Sequence, residues 1–236
     1  MALLGYDIYS DSLDVLDLKS TKTINTINPH SYCTAKKDDE FMKALKESDV
    51  LLPDGIGIVW AERVLNGRKI NRIAGYDLFI FLMNHLNETS GSCFFLGASE
   101  ETLSKIENKL SVDYPNVKVK SYSPPYRPSF TEEESMQMCD EVNKLRPDVL
   151  FVGMTAPKQE KWVHNNKNRL EATTICSIGA VFDFYAGNIK RSSQFWISLG
   201  LEWLPRFLKE PRRLAKRNLV STPSFIFEVL KTKVLG

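Results

Sequence analysis

Short apolar runs alternate with stretches of helical periodicity along most of this chain, and that alternation restricts the folds open to it. The pattern predicts strands at Leu3–Ile8, Thr23–Asn28, Val50–Leu52, Cys93–Leu96, Val117–Ser121, Val149–Val152 and Thr173–Ile178. Helical patterns fill the intervals at 30–47, 55–66, 76–88, 99–112, 131–146 and 157–169. Within 131–146, Met138, Val142 and Leu145 are spaced four then three, which marks one buried face. Three glutamates follow Thr131, where a helix dipole favours negative charge. The expected fold is α/β: a doubly wound, mostly parallel, Rossmann-like sheet.

The pattern changes near residue 190, so the chain divides into a core at 1–190 and an appendage at 191–236. Gln194–Leu204 is dense in apolar and aromatic residues, and Pro205, Pro211 and Pro223 each suit a helix start better than a helix middle. Two or three short amphipathic, basic helices outside the sheet are expected there. From Gly187 onward ten Lys or Arg face three Glu, whereas the preceding residues hold 21 basic and 26 acidic side chains. An acidic body with a basic tail points to an anionic partner, and bulky apolar residues beside the cations fit either a subdomain packed on the core with a solvated basic side or a surface of anionic lipid heads.

Several function classes are disfavoured. The four cysteines are scattered, without a C-x-x-C pair or zinc spacing, so neither a disulfide framework nor a structural metal is expected. No run approaches the roughly 18 apolar residues of a membrane span, and the first residues lack the charge and apolar stretch of a signal peptide, so a cytoplasmic location is expected. No strand is followed by the glycine fingerprint of a nicotinamide enzyme. The acidic body argues against nucleic acid.

The chemistry concentrates where strands end. Asp54 follows Val50–Leu52 and stands before Gly55 and Gly57. Asp is a favoured helix cap, and a carboxylate fixed at a strand end can also take the proton of an attacking hydroxyl. Thr26 and Asn28 share one strand face with Ile24, so polar groups begin only at that strand's carboxyl end. Gly97-Ala98-Ser99 opens a helix, with Ser99 placed to cap it and Gly97 leaving room for a ligand. Lys158 and Gln159 fall just inside a helix whose first position is expected at Pro157; a cation and an amide there suit an anion and a sugar or base edge. Asp183, between Phe182 and Phe184 and ahead of Gly187, reads as a loop with one polar anchor in an aromatic wall. No D-x-D occurs, so the usual carboxylate pair for a nucleotide-bound divalent metal is missing. Arg206, Arg212, Arg213 and Arg217 are the cations left to neutralise a departing diphosphate.

Taken in order, Thr26-Ile27-Asn28, Pro53-Asp54-Gly55-Ile56-Gly57, Ala156-Pro157-Lys158-Gln159-Glu160, Phe182 to Gly187, and Leu201-Glu202-Trp203-Leu204 with Glu210-Pro211-Arg212-Arg213 resemble the WecG/TagA/CpsF family of bacterial glycosyltransferases. The resemblance implies an inverting enzyme without metal or other cofactor, moving a sugar from a UDP donor to a polyprenyl-diphosphate-linked saccharide in cell-surface polysaccharide synthesis. It implies Asp54 as base, Thr26 facing it, and Asn28 and Gln159 in the pocket. It also puts Arg206, Arg213 and Lys216 in an appendage that reaches over the site and the cytoplasmic membrane surface. The segment between Ile8 and Thr23 is short for the helix usual there, which implies an abbreviated first β-α unit. The donor sugar and the acceptor stay open, as does a homo-oligomer. The alternative function on the same fold is a non-catalytic scaffold recruited to membranes.

Overall fold

The computed structural model describes residues 2–193, 196, 204, 208 and 216–235. Among the described residues, six strands form one sheet: β1 (Lys22–Ile27), β2 (Val50–Pro53), β3 (Ser92–Gly97), β4 (Lys118–Tyr122), β5 (Val149–Gly153) and β6 (Thr174–Ser177). Their order is β2-β1-β6-β5-β3-β4, and every pairing is parallel. The central strands β5 and β6 are buried throughout because helices cover both faces.

The α-helices that lie wholly among the described residues are α1 (Pro29–Ala35), α2 (Asp39–Lys46), α3 (Ile56–Asn66), α4 (Gly75–Thr89), α5 (Glu100–Asp113), α6 (Glu132–Asn143), α7 (Lys158–Asn166), α8 (Gly179–Tyr185) and α9 (Thr222–Leu235). On one face, α4, α5 and α8 bury Leu78, Leu82, Leu103, Ile106 and Phe182 against Ile24, Leu52, Phe95 and Phe151. Phe79 is the hub of that layer, with Tyr185, Phe151 and Phe95 at 4.9, 5.3 and 6.3 Å between ring centroids. On the other face, α1, α2, α3 and α9 cover β1 and β2, while α6 and α7 cover β3, β5 and β6.

Two expectations are corrected here. Leu3–Ile8 is not a strand: Leu4 and Gly5 both take positive φ (48° and 85°), and the turn closes in a single bridge between Leu3 and Tyr6. Its apolar residues are buried in the core beside β2 without joining the sheet, apart from one bond from Tyr9 N to Leu51 O. Between there and β1 the chain makes only a short 3-10 turn, Leu13–Val15. The helical stretch at 30–47 is two helices, because the Asp38 carboxylate accepts Phe41 N at 3.0 Å and starts α2 afresh.

The winding fixes where a ligand can enter. The chain leaves β3 through α5 on the first face and leaves β5 through α7 on the second, so their carboxyl ends diverge; β6 and β1 diverge the same way through α8 and α1. Such switch points open crevices outside the carboxyl edge of the sheet.

Candidate functional site

Thr26, Asn28 and Asp54 stand side by side at that edge. Ile27 pairs with Pro53 in register, and Asp54 N donates to Ile27 O at 2.9 Å, so Asn28 and Asp54 leave adjacent strands together. All three side chains are half-buried. The Asn28 Oδ1 accepts His30 N and Ser31 N, both at 3.0 Å, and caps α1. Ser31 returns the bond: its Oγ accepts Asn28 N at 2.7 Å. This box fixes the Asn28 side chain and leaves its Nδ2 for a ligand. The cap of α3 is Gly55 at φ 108°, with no side-chain capping bond, so the Asp54 carboxylate is not the helix cap that its position predicted. A Cβ on Gly55 would come within 3.9 Å of Asn28 Cβ, which measures how closely these two loops run.

The β5–α7 and β6–α8 loops meet beside them, joined by one amide. Gln159 is buried; its Oε1 accepts Met154 N at 3.2 Å and Gly179 N at 3.1 Å, and its Nε2 donates to Glu160 Oε1 at 2.8 Å. Gln159 therefore uses most of its hydrogen-bonding capacity inside the fold, with one N–H left over, rather than presenting a whole edge to a base or sugar. Gly179 is where the loops touch, since a Cβ there would collide with Met154 O. Glu160 is 3% exposed, and burial pushes its carboxyl up to about 7 against the bond from Gln159.

Lys158 turns elsewhere. Pro157 is the N-cap of α7 rather than its first helical position, and Lys158 Nζ donates to Arg127 O at 2.7 Å and lies 4.1 Å from the Phe130 ring centroid. Partial burial lowers its pKa. Its charge pins the 123–130 loop after β4, as does the bond from Ser123 Oγ to Ala98 O at 2.8 Å.

Gly97 has a structural reason to lack a side chain. It sits at φ 117° and pairs with Gly153, and a Cβ there would fall on the Gly153 carbonyl. Ser99 caps α5 as expected, accepting Thr102 N at 3.2 Å. Asp183 is not in a loop: it lies on α8, which the flanking glycines and aromatics disguised in the sequence. Its Oδ1 accepts Asn188 Nδ2 at 3.3 Å, and the same Nδ2 reaches Thr102 Oγ1 at 2.9 Å, tying the chain after α8 to α5. Phe182, beside it, is packed in the core.

Arg72 is a cation that the sequence pattern did not single out. Ile73 N donates to Pro53 O at 3.1 Å, which brings the α3–α4 connection alongside the end of β2, next to Asp54. Arg72 and Arg191 both pair with Asp77, at 3.6 and 3.2 Å, and the Arg191 guanidinium lies 4.4 Å from the centroid of Tyr76. A cation just ahead of the α4 start, in Arg72-Ile73-Ala74-Gly75, was the available signal.

The end of the chain returns to the same neighbourhood. Phe225 and Val229 of α9 are fully buried against α1 and α3, the two helices that begin at Asn28 and Gly55. Phe225 meets Tyr32 edge-on at 5.2 Å, His30 Nδ1 bonds Ser221 Oγ at 2.9 Å, and Lys36 pairs with Glu228 at 2.8 Å. Phe227, Leu230, Val234 and Leu235 stay exposed. Arg206, Arg212 and Arg213 lie outside the described residues; Lys216 and Arg217 begin a π-helical turn, Lys216–Ser221, but their side chains are not among those described.

A parallel doubly wound sheet here carries a carboxylate, hydroxyl and amide groups and cations around one edge, an arrangement with the donors, acceptors and base that group transfer uses. The chain belongs to the family described as Glycosyl transferase WecG/TagA/CpsF family, whose profile matches residues 7–236, and it is a glycosyltransferase. It is 33% identical over 216 residues to the N-acetylglucosaminyldiphosphoundecaprenol N-acetyl-β-D-mannosaminyltransferase of Bacillus subtilis strain 168, covering 92% of this chain and 82% of that protein. The Bacillus spizizenii protein of the same name is 30% identical, with 92% and 81% covered. One from Staphylococcus aureus strain MW2 is 27% identical, with 89% and 80% covered.

Proposed function

We propose that this glycosyltransferase moves an N-acetylmannosamine-type sugar from a UDP donor to a polyprenyl-diphosphate-linked N-acetylglucosamine, with inversion and without a metal, in the synthesis of a cell-surface polymer. The names of the relatives support the acceptor and the type of sugar. The observation that carries the catalytic part is Asp54, half-buried at the end of β2, with its backbone bonded to β1 and the α3 cap taken by Gly55. In this reading the Asp54 carboxylate takes the proton of an acceptor hydroxyl as that oxygen attacks C1 of the sugar. The C1–O bond to UDP breaks, and the leaving diphosphate keeps the electron pair. Thr26, Asn28 Nδ2 and the spare N–H of Gln159 hold the sugars, and Arg72 with Arg206, Arg212, Arg213, Lys216 and Arg217 offsets the diphosphate charge. Gly97, Lys158 and Asp183 serve through the backbone they shape.

No helix among the described residues is long and apolar enough to cross a membrane. The exposed Phe227, Leu230 and Val234 of α9, beside Lys231 and Lys233, support peripheral docking on an anionic surface, where a lipid-linked acceptor resides. Flotation with anionic liposomes tests this: binding should fall at high salt and on Phe227→Ser with Leu230→Ser, and indifference to both would reject it. The activity is tested with a panel of UDP-sugars against a short-chain polyprenyl-diphosphate N-acetylglucosamine, with and without EDTA. Transfer from the N-acetylmannosamine donor that survives EDTA is expected. Transfer only from another donor, or loss of activity that added metal restores, would contradict the proposal.

A further inference from the structure

We infer that Glu160 is a positioning residue for the sugar-transfer site: its Oε1 fixes the Gln159 amide so that one oxygen, Gln159 Oε1, holds the Met154 and Gly179 amides together. This inference rests on the glycosyl-transfer reading for its effect on rate, but not for its effect on the loops.

The two ends of a Gln amide are alike in size and shape. A buried Gln can rotate its terminal group and exchange oxygen for nitrogen unless both ends have partners. At Gln159 the oxygen end meets two backbone donors from different segments, Met154 just after β5 and Gly179 at the start of α8. The nitrogen end has one acceptor among the described residues, Glu160 Oε1 at 2.8 Å. Were that acceptor lost, the orientation would rest on the oxygen end alone, and Nε2 would be buried without a partner.

Glu160 is also a poor choice for stability alone. Its side chain is buried and its Oε2 has no hydrogen-bond partner among the described residues, a cost that an apolar side chain of similar length would not carry. Burial raises the carboxyl's pKa, and the geometry makes that group an acceptor for Gln159 Nε2. What Glu160 gives in return is the fixed amide, and through it the spacing of the two loops that flank the crevice beside β1. A loop displaced by a fraction of an ångström can cost tenfold or more in transfer rate.

The test compares Glu160→Met, which keeps length and removes the acceptor, Glu160→Asp, which keeps the carboxyl but withdraws it, and Glu160→Gln, which restores a neutral acceptor. Donor KM, kcat, UDP affinity by calorimetry and amide hydrogen exchange at Met154 and Gly179 are read for each. Met and Asp should raise donor KM or lower kcat by about tenfold and speed exchange at both amides, whereas Gln should stay within about threefold of the parent enzyme. Melting temperature should not follow that ranking, since Met removes the unpartnered Oε2 at the same time as it takes the partner from Gln159 Nε2, and the two effects offset. Unchanged kinetics and exchange in all three variants, or Gln as impaired as Met, would overturn the inference. A parent enzyme that neither binds UDP nor transfers sugar would instead overturn the proposed function, and exchange at the two amides would still decide the role of Glu160.

Discussion

Substituting Gly97 by Ala probes the closest backbone approach at the carboxyl edge. A Cβ there would lie 2.8 Å from the Gly153 carbonyl carbon and 3.3 Å from its nitrogen, with the carbonyl oxygen nearer still. Those atoms are backbone, so relief requires β3 and β5 to part, at the expense of the bond from Ala98 N to Gly153 O at 3.0 Å. Overpacking of this kind costs about 1–3 kcal/mol. The φ of 117° adds about 1–3 kcal/mol for a residue with a side chain. Gly67→Ala is the control: it has φ 67° at the end of α3 and nothing within 4 Å of where the new methyl group would sit, so only about 1 kcal/mol of strain applies. For a chain of this size each kcal/mol shifts Tm by about 2–4 °C. Scanning fluorimetry should give a loss of roughly 10 °C for Gly97→Ala against about 3 °C for Gly67→Ala. Equal small losses would refute the reasoning, because they would mean that the strand ends separate freely.

Phe225→Ala removes the main anchor of α9 and should cost about 3–5 kcal/mol locally. The expected result is a large gain in hydrogen exchange across 222–235 with a smaller change in global Tm; unaltered protection of α9 would contradict the seating on α1 and α3. Glu160 gives a pH test with a definite sign. Its folded pKa of about 7 lies above the ordinary carboxyl value, so the folded state holds the proton more tightly and stability falls as pH rises from about 4.5 to 7, by up to about 3 kcal/mol. Glu160→Gln should flatten that slope in denaturant titrations across the interval, and an unchanged slope would show that Glu160 titrates normally.

Strands such as Val149–Gly153 were legible because a buried parallel strand is apolar on both faces and ends where polar residues and glycine begin, whereas β1 and β4 showed through alternation and β-branched residues. Leu3–Ile8 carries the same apolar signal, but Leu4-Gly5 turns the chain before a ladder can form. The seven residues of α8 are too few for helical periodicity to show between Gly179 and Gly187. At the site, the positions of Thr26, Asn28 and Asp54 at adjoining strand ends were legible, since a strand's carboxyl end follows from its apolar run. How Gln159 and Lys158 use their polar atoms was not. Their partners, Met154, Gly179 and Arg127, depend on loops brought together only by the fold. Arg72 was hidden for the same reason: the bond from Ile73 N to Pro53 O, which draws its segment toward the end of β2, forms only in the fold.

The most direct test of the mechanism is Asp54→Asn, which keeps size and shape while removing the base. Transfer to the lipid-linked acceptor should fall by about 100-fold to 10,000-fold, the usual contribution of a general base, while UDP binding by calorimetry stays within about threefold. Transfer at a near-parental rate by a variant that binds UDP normally would contradict the role given to this carboxylate.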